Sequence, residues 1–153
     1  MKVSKVRVTR HSPKIYSPEE VNALRTAIQD AVENAANSYL RKCARNHLRV
    51  FMVARNTVLR NSEVLNLPLR HIHLNEGVLQ IAAVPESNWN PKNRQERIVP
   101  MNPELVKFLE SDLEQRGKQE RWFLDDGQGG QVYSSNCQLS QAFRRHVSRC
   151  GLE

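Results

Sequence analysis

The hydrophobic period of this chain changes twice, and that change restricts the possible folds more than any other feature. Across residues 18–56 apolar side chains recur every three or four positions, as they do on one face of an α-helix. Residues 71–81 and 97–99 instead have the pattern of short strands, the first two joined by an Asn-Glu-Gly turn. The helical period returns in residues 102–150. This order predicts an α+β fold, a mainly helical domain with a small antiparallel three-stranded sheet on one edge.

Residues with capping propensity mark the predicted helix ends. Ser17 precedes a proline and stands three positions before Glu20, the pattern of a capping box at a helix start. Asn102, which also precedes a proline, marks a second start, and Gly117 marks the end of that helix. The predicted helices are residues 18–34, 40–56, 103–117 and 135–150, with a short helix ending near residue 68.

The charge of the chain favours an anionic partner. The 153 residues suit one globular domain, and 23 Lys and Arg against 16 Asp and Glu leave a net charge of +7. The simplest polyanion is nucleic acid, although many basic proteins bind none. No apolar run approaches the roughly 20 residues that span a bilayer, and the N-terminus lacks the apolar core of a signal peptide. We therefore expect no membrane association.

The cysteines and histidines predict neither disulfides nor metal. Cys43, Cys137 and Cys150 are odd in number and far apart, which fits a reducing cytoplasm. His71 and His73 are a close pair, but no acidic or cysteine partner follows at ligand spacing. We expect no metal and no cofactor.

Residues 1–14 form a basic leader ahead of the first helix. The segment is either a flexible tail or an interdomain linker that lies on DNA. We favour the linker, because two Ser-Pro pairs punctuate the chain before the first helix. Its basic residues are Lys2, Lys5, Arg7, Arg10 and Lys14.

Arg60 is the first candidate for a phosphate-binding residue. It follows Val58 and Leu59 at a predicted helix junction, where a side chain can leave the core. Arginine stays charged and can bind a phosphate through two parallel hydrogen bonds. Glu63, one helical turn further on, could hold the guanidinium in place. The alternative is a surface ion pair three residues apart, worth roughly a few tenths of a kcal/mol.

Lys92 is the second candidate. It lies in a polar loop between two predicted strands, and the tip of such a hairpin can enter a DNA groove. A lysine there could donate a proton to a leaving oxygen as a general acid. Arg94 and Arg97 add charge of the same sign. The alternative is an ordinary solvated loop, in which lysine is common.

Taken together and in this order, these segments resemble the first half of the catalytic domain of tyrosine recombinases, the phage-integrase family. Residues 57–64, Thr-Val-Leu-Arg-Asn-Ser-Glu-Val, are similar to the family's Thr-Gly-Leu-Arg-hydrophobic-Ser-Glu-Leu string, with valine in place of the glycine. Residues 92–101 are similar to its lysine hairpin and the Arg-hydrophobic-Val-Pro-Leu strand. Residues 16–21 and 140–151 are similar to its first helix and to the helix before its next motif.

The resemblance implies a partial catalytic domain over residues 15–153. In it Arg60 is the first catalytic arginine, Glu63 is its supporting acid, and Lys92 is the hairpin lysine. In the family a tyrosine attacks the scissile phosphate of double-stranded DNA, arginines stabilise the transition state, and the lysine protonates the departing oxygen. Neither metal nor cofactor takes part. Further DNA contacts are expected from the basic residues Arg94, Arg97, Arg144, Arg145 and Arg149.

The family's later residues lack counterparts, namely a His-x-x-Arg motif, a His or Trp, and the nucleophilic tyrosine. His146 and Arg149 have the spacing of His-x-x-Arg, but they fall in the helix that precedes the real motif and no tyrosine follows. We therefore expect a recombinase fragment that binds DNA without cleaving it. We expect it to be a monomer, although full-length members are tetrameric on DNA. The resemblance also implies a bacterial or phage-derived origin. The alternatives are a non-catalytic DNA-binding module or degenerate integrase remnant, and a protein-interaction domain whose charge is incidental.

Overall fold

The computed structural model describes residues 15–152, so the predicted leader at residues 1–14 lies outside the described residues. Helices supply most of the regular structure, and each long one begins at a side-chain cap. The Ser17 hydroxyl accepts a hydrogen bond from the Glu20 amide while the Glu20 carboxylate accepts one from the Ser17 amide, which confirms the predicted capping box. The helices are α1 (Pro18–Glu33), α2 (Ser38–Asn56), α3 (Asn61–Leu65), α4 (Pro103–Glu114) and α5 (Asn136–Arg149).

A small sheet lies between α3 and α4 in the chain. Its strands are β1 (Ile72–His73), β2 (Val78–Ile81) and β3 (Arg97–Pro100), in the order β1-β2-β3 and antiparallel throughout. Leu79 at the centre is paired with Ile72 on one side and Val99 on the other. The turn from β1 to β2 uses Gly77 at a φ of +65°, a conformation that other residues rarely adopt. The predicted α+β architecture is therefore confirmed.

The element ends differ from the predicted ones by a few residues. Helix α2 begins at Ser38 rather than residue 40, because the Asn37 side chain caps it by accepting from the Leu40 amide. His71 belongs to a 3-10 turn, Leu69–His71, rather than to the first strand. Helix α4 ends at Glu114, short of the predicted glycine. Such ends depend on single hydrogen bonds, which periodicity does not resolve.

The core lies between the helices and the inner face of the sheet. Along β2 the buried positions alternate, with Leu79 and Ile81 inside, so the period of two predicted from the sequence is observed. The apolar stripe of α1 buries only Leu24 and Ile28 fully. The most deeply buried apolar residues are Ile28, Met52, Val53, Leu67, Leu79, Ile81, Val84, Leu105, Leu109, Phe123 and Leu124. In residues 15–152, none of the helices has both the length and the apolar character that crossing a bilayer requires.

Candidate nucleic-acid interface

The end of α2 determines where Arg60 lies. Thr57 stops the helix in an extended conformation, and its hydroxyl donates to the Val53 carbonyl and accepts from the Leu59 amide. Val58 is therefore 87% exposed, whereas Leu59 packs partly against the core. Arg60 follows as the residue that caps α3, and its side chain is 57% exposed. The junction predicted from the sequence thus presents a guanidinium to solvent.

Arg60 and Lys92 line the same open cleft, which has a volume of about 710 Å³. They come from separate parts of the chain, Arg60 from the start of α3 and Lys92 from the loop before β3. The cleft is defined by Val58, Arg60, Lys92, Asn93, Gln95, Glu96 and Arg97, and is called the Arg60 cleft below. The two predicted catalytic cations therefore line one open cleft rather than opposite sides of the molecule.

Glu63 organises the cations at the back of this cleft. Its carboxylate is 1% exposed and accepts two hydrogen bonds of 2.7 Å from the guanidinium of Arg97, one to each oxygen. It also accepts from the Arg60 amide at 2.8 Å and from Arg60 Nη1 at 3.3 Å. Burial disfavours the charged carboxylate, but the hydrogen bonds from Arg97 and the Arg60 amide outweigh it, so the pKa of Glu63 lies below its ordinary value.

Arg60 retains donors for a ligand. Only its Nη1 bonds to Glu63, and the remaining nitrogens of the guanidinium have no partner among residues 15–152. Arg97 differs, because both of its terminal nitrogens are engaged by Glu63. The same hydrogen bonds raise the pKa of Arg97 above its ordinary value. The cleft thus contains one committed and one available guanidinium.

The loop that carries Lys92 is ordered by its own backbone. Val84 and Trp89 form an isolated antiparallel β-bridge, in which each amide donates to the carbonyl of the other residue. The Trp89 side chain is partly buried against the core. Asn93 and Arg94 then adopt left-handed φ angles of 61° and 54°, which reverse the chain directly after Lys92. Lys92 is exposed and makes no ion pair with any residue from 15 to 152.

The other predicted DNA contacts are distributed unevenly. Arg94 is exposed in the Lys92 loop, and Arg97 lies in the cleft but is bound to Glu63. The basic residues of α5 are exposed and do not line the Arg60 cleft. These α5 residues are Arg144, Arg145 and Arg149.

His146 lies in the interior, away from this cleft. It is 5% exposed, and its Nε2 is 2.8 Å from Nδ1 of His47 on α2. His73 contacts the Gln80 side chain, and His71 is buried in its turn. Across residues 15–152, no group of three or more His, Cys, Asp or Glu side chains is arranged to hold a metal ion.

Comparison with known proteins identifies the class. The sequence profile of the Phage integrase family matches residues 15–153, most of the chain, and the chain therefore belongs to that family, the tyrosine recombinases. Among solved structures the chain is similar to the crystal structure of XerA recombinase, with a TM-score of 0.63 and 18% sequence identity. A comparison with curated protein sequences found no match.

The similarity to XerA concerns the fold. The match covers 98% of this chain and 47% of the XerA chain, so this chain spans about half the length of that recombinase. At 18% identity the likeness shows a shared recombinase fold, and it does not transfer activity or substrate. The resemblance inferred from the ordered sequence segments is thereby confirmed at the level of family and fold.

Sequence reasoning did not find the contact between Glu63 and Arg97. It assigned Glu63 to Arg60, three residues earlier, and grouped Arg97 with the DNA contacts. The two residues are 34 positions apart and meet only because β3 returns beside α3. No local spacing could have indicated this pair, whereas the Arg60-Glu63 pair follows from helical geometry.

Proposed function

We propose that the Arg60 cleft binds a phosphodiester of double-stranded DNA and forms the arginine-and-lysine part of a tyrosine recombinase catalytic site. The observation that supports this most directly is the placement of Arg60 and Lys92 on one open cleft. Both side chains are exposed and lack a full set of partners among the described residues, so a phosphate can bind without displacing a protein contact. Membership of the phage-integrase family supports DNA as the class of ligand.

The two cations have different tasks in this proposal. Arg60 supplies a permanently charged guanidinium group, which Glu63 orients. This group stabilises the negative charge that develops on the phosphate oxygens. Lys92 can release a proton, which arginine cannot, and is therefore the group that protonates the departing oxygen. Glu63 keeps its own charge because Arg97 neutralises it.

The chain by itself is proposed to bind DNA without cleaving it. Cleavage through a phosphotyrosyl link needs a tyrosine oxygen at the phosphate. None of the three tyrosines lines the Arg60 cleft. Burial raises the pKa of Tyr133 to about 12, which makes its hydroxyl a poor nucleophile near neutral pH.

A salt titration tests the cleft. Fluorescence anisotropy with a labelled duplex of about 20 base pairs, repeated at several salt concentrations, gives the slope of log K against log salt. Removing one phosphate contact reduces that slope by about 1, so Arg60→Gln and Lys92→Gln should each reduce it by that amount. Neither variant is expected to change the unfolding temperature much, since both side chains are exposed.

The matched control is Arg70→Gln. Arg70 carries the same charge and is exposed, but it forms an ion pair with Glu86 and does not line the cleft. If Arg70→Gln reduces the slope as much as the cleft variants do, binding is governed by net charge and the cleft assignment is wrong. If the unsubstituted chain shows no binding at low salt, the DNA assignment itself is wrong.

A further inference from the structure

A second concavity, distinct from the Arg60 cleft, lies between α2 and the segment that follows α4. Its volume is about 200 Å³, enough for a small anion. It is lined by Ser38, Arg41, Lys42, Arg45, Arg49, Gln115 and Glu120, and is called the α2 notch below. Four of these seven side chains are cationic and one is anionic. The notch is therefore strongly unbalanced in charge.

Two of its arginines have no carboxylate partner within residues 15–152. Arg41 and Arg45 are one helical turn apart on α2, so their side chains lie on the same face. Neither forms an ion pair with any residue from 15 to 152. Like charges at this spacing repel each other by roughly a few tenths of a kcal/mol, and an anion held between them would remove that cost.

The arginines at the inner wall of the notch are already paired with an acidic residue. Arg49, whose side chain is 6% exposed, donates from Nε to both oxygens of Asp112 at 2.8 and 3.0 Å and from Nη1 to Asn46. Arg116, which is 3% exposed, donates to Asp112 at 2.6 Å. Because every partner in this wall is committed, Asp112 is not available to compensate the outer arginines.

The one acidic residue that lines the notch is committed as well. One oxygen of Glu120 accepts from Arg116 Nη1 at 3.1 Å, and the other accepts from the Gly117 amide at 3.2 Å. At the opposite rim, Lys42 Nζ donates to the Asp126 carbonyl at 2.7 Å, and Lys42 is also close enough to the Asp126 carboxylate to help lower its pKa. Among the outer cations, Arg41 and Arg45 are therefore the two without a nearby carboxylate in residues 15–152.

We propose that the α2 notch is a second phosphate subsite, which takes a backbone phosphate of the same DNA molecule that occupies the Arg60 cleft. This rests on the proposed function for the identity of the polymer. Two guanidinium groups one turn apart suit phosphate oxygens better than they suit a single carboxylate, because each can donate in parallel pairs. A free inorganic phosphate offers the same chemistry, so the test must separate the two sources.

The spacing fits a nucleic acid rather than one small ligand shared by both sites. Arg41 and Arg45 precede the end of α2 at Asn56 by about 22 and 16 Å along the helix axis, at about 1.5 Å per residue. Arg60 lies beyond that end. Phosphates of one DNA strand are separated by about 3.4 Å along the duplex axis, so for a duplex lying along α2 these lengths correspond to about five to six base pairs.

The experiment compares the double variant Arg41→Gln and Arg45→Gln with the unsubstituted chain on a duplex of about 20 base pairs. Loss of the one phosphate held between these two arginines should reduce the slope of log K against log salt by about 1. Because the subsite is separate from the cleft, the same reduction should be observed when Arg60→Gln is also present. Glutamine keeps a high helix propensity, so α2 should remain folded, which circular dichroism checks.

The matched control is Arg25→Gln with Arg70→Gln, which removes two charges from exposed ion pairs outside both sites. An equal reduction in this control would overturn the proposal. So would an unchanged slope in the notch variant while cleft variants lower it, a result that leaves the cleft intact. The reverse pattern would overturn the cleft, and with it the claim that both sites hold one DNA molecule, and would leave the notch as a DNA phosphate site by itself.

Inorganic phosphate provides the second arm. Titration of the unsubstituted chain with phosphate, followed by the NMR signals of arginine side chains, should shift Arg41 and Arg45 only at concentrations far above those at which DNA shifts them. Tight binding of inorganic phosphate, together with an unchanged DNA slope in the notch variant, would assign the site to a free anion and overturn the DNA proposal.

Discussion

Two arginine–carboxylate clusters in this chain have the same chemistry and different surroundings. At the Arg60 cleft, Glu63 is shared by Arg60 and Arg97, whose side chains are 57% and 34% exposed. Behind the α2 notch, Asp112 is shared by Arg49 and Arg116, which are 6% and 3% exposed. In each case one acid holds two guanidinium groups. The exposure of those groups determines what the cluster can do.

The difference in burial distinguishes a cluster that stabilises the fold from one that can bind a ligand. Burial lowers the pKa of Arg116 from its ordinary value, whereas the hydrogen bonds that Arg97 donates to Glu63 raise the pKa of Arg97. In the buried cluster desolvation opposes the charge and every donor is needed to compensate for it. In the cleft water still solvates Arg60, and one guanidinium keeps donors for a ligand.

The largest effect is expected from Asp112→Asn. The substitution removes the charge that compensates two nearly fully buried guanidinium groups, and the free energy of unfolding should fall by about 3 kcal/mol. Urea unfolding followed by circular dichroism measures this change. DNA affinity, measured where the variant is still folded, should change less than the stability does.

The control for this variant is Glu104→Gln. Glu104 also contacts two arginines, Arg25 at 3.0 Å and Arg55 at 3.9 Å, but its side chain is 39% exposed. An exposed pair contributes at most about 1 kcal/mol, so this variant should unfold almost like the unsubstituted chain. Equal losses in the two variants would show that burial is not what separates the clusters.

The second prediction concerns the contact between His47 and His146, which joins α2 to α5 without net charge. Burial, with smaller effects from His146 and Arg145, lowers the pKa of His47 to about 4. Burial and Arg149 also lower the pKa of His146. The folded state therefore favours neutral rings. A hydrogen bond between two ring nitrogens also needs one of them unprotonated, and the observed distance is 2.8 Å.

Since the pKa of His47 is lower in the folded state than in the unfolded one, its contribution is fully present above about pH 6.5. It is lost as the pH falls towards 4, by about 2 kcal/mol after allowing for partial solvation of His47. Unfolding free energies measured across this range should fall more steeply for the unsubstituted chain than for His47→Gln. Identical pH profiles for the two proteins would contradict the assignment.

The smallest effect is expected for the coupling of Arg97 with Glu63. Arg97→Lys loses the two parallel hydrogen bonds but keeps the charge. In a double-mutant cycle with Glu63→Gln, the unfolding free energies should give a coupling of about 1 kcal/mol. If Arg97 acts through Glu63, its substitution should also change DNA affinity only while Glu63 is present. An effect of Arg97→Lys that persists in Glu63→Gln would instead indicate direct contact with DNA.

Local features of the fold were accessible from the sequence. The capping box at Ser17, the apolar period of α2 and the alternation along β2 all involve neighbours within about four residues. The candidate residues Arg60 and Lys92 were also accessible, because the segments that carry them resemble a family in a fixed order. The predicted end of α4 was less accurate, because the helix end depends on one turn of backbone hydrogen bonds rather than on the glycine at 117.

Partners that are distant in the chain could not be predicted. Asp112 meets Arg49 across 63 positions, and Glu63 meets Arg97 across 34. A charged residue has many possible partners of opposite sign, and nothing in its local spacing selects one. The sequence also could not predict that Arg41 and Arg45 form no ion pair within residues 15–152, because this depends on Glu120 being hydrogen-bonded to Arg116 and to the Gly117 amide.

From the amino-acid order alone, side-chain type and short-range periodicity were enough to predict the helices and strands and to nominate Arg60 and Lys92 as candidate phosphate-binding residues. The tertiary structure alone decided that Arg60 and Lys92 share one cleft and that Arg97 is committed to Glu63. It also decided which arginines are buried and compensated and which remain available. The physical reason is that packing controls both solvent exposure and long-range pairing, and these set the electrostatic task of each charge.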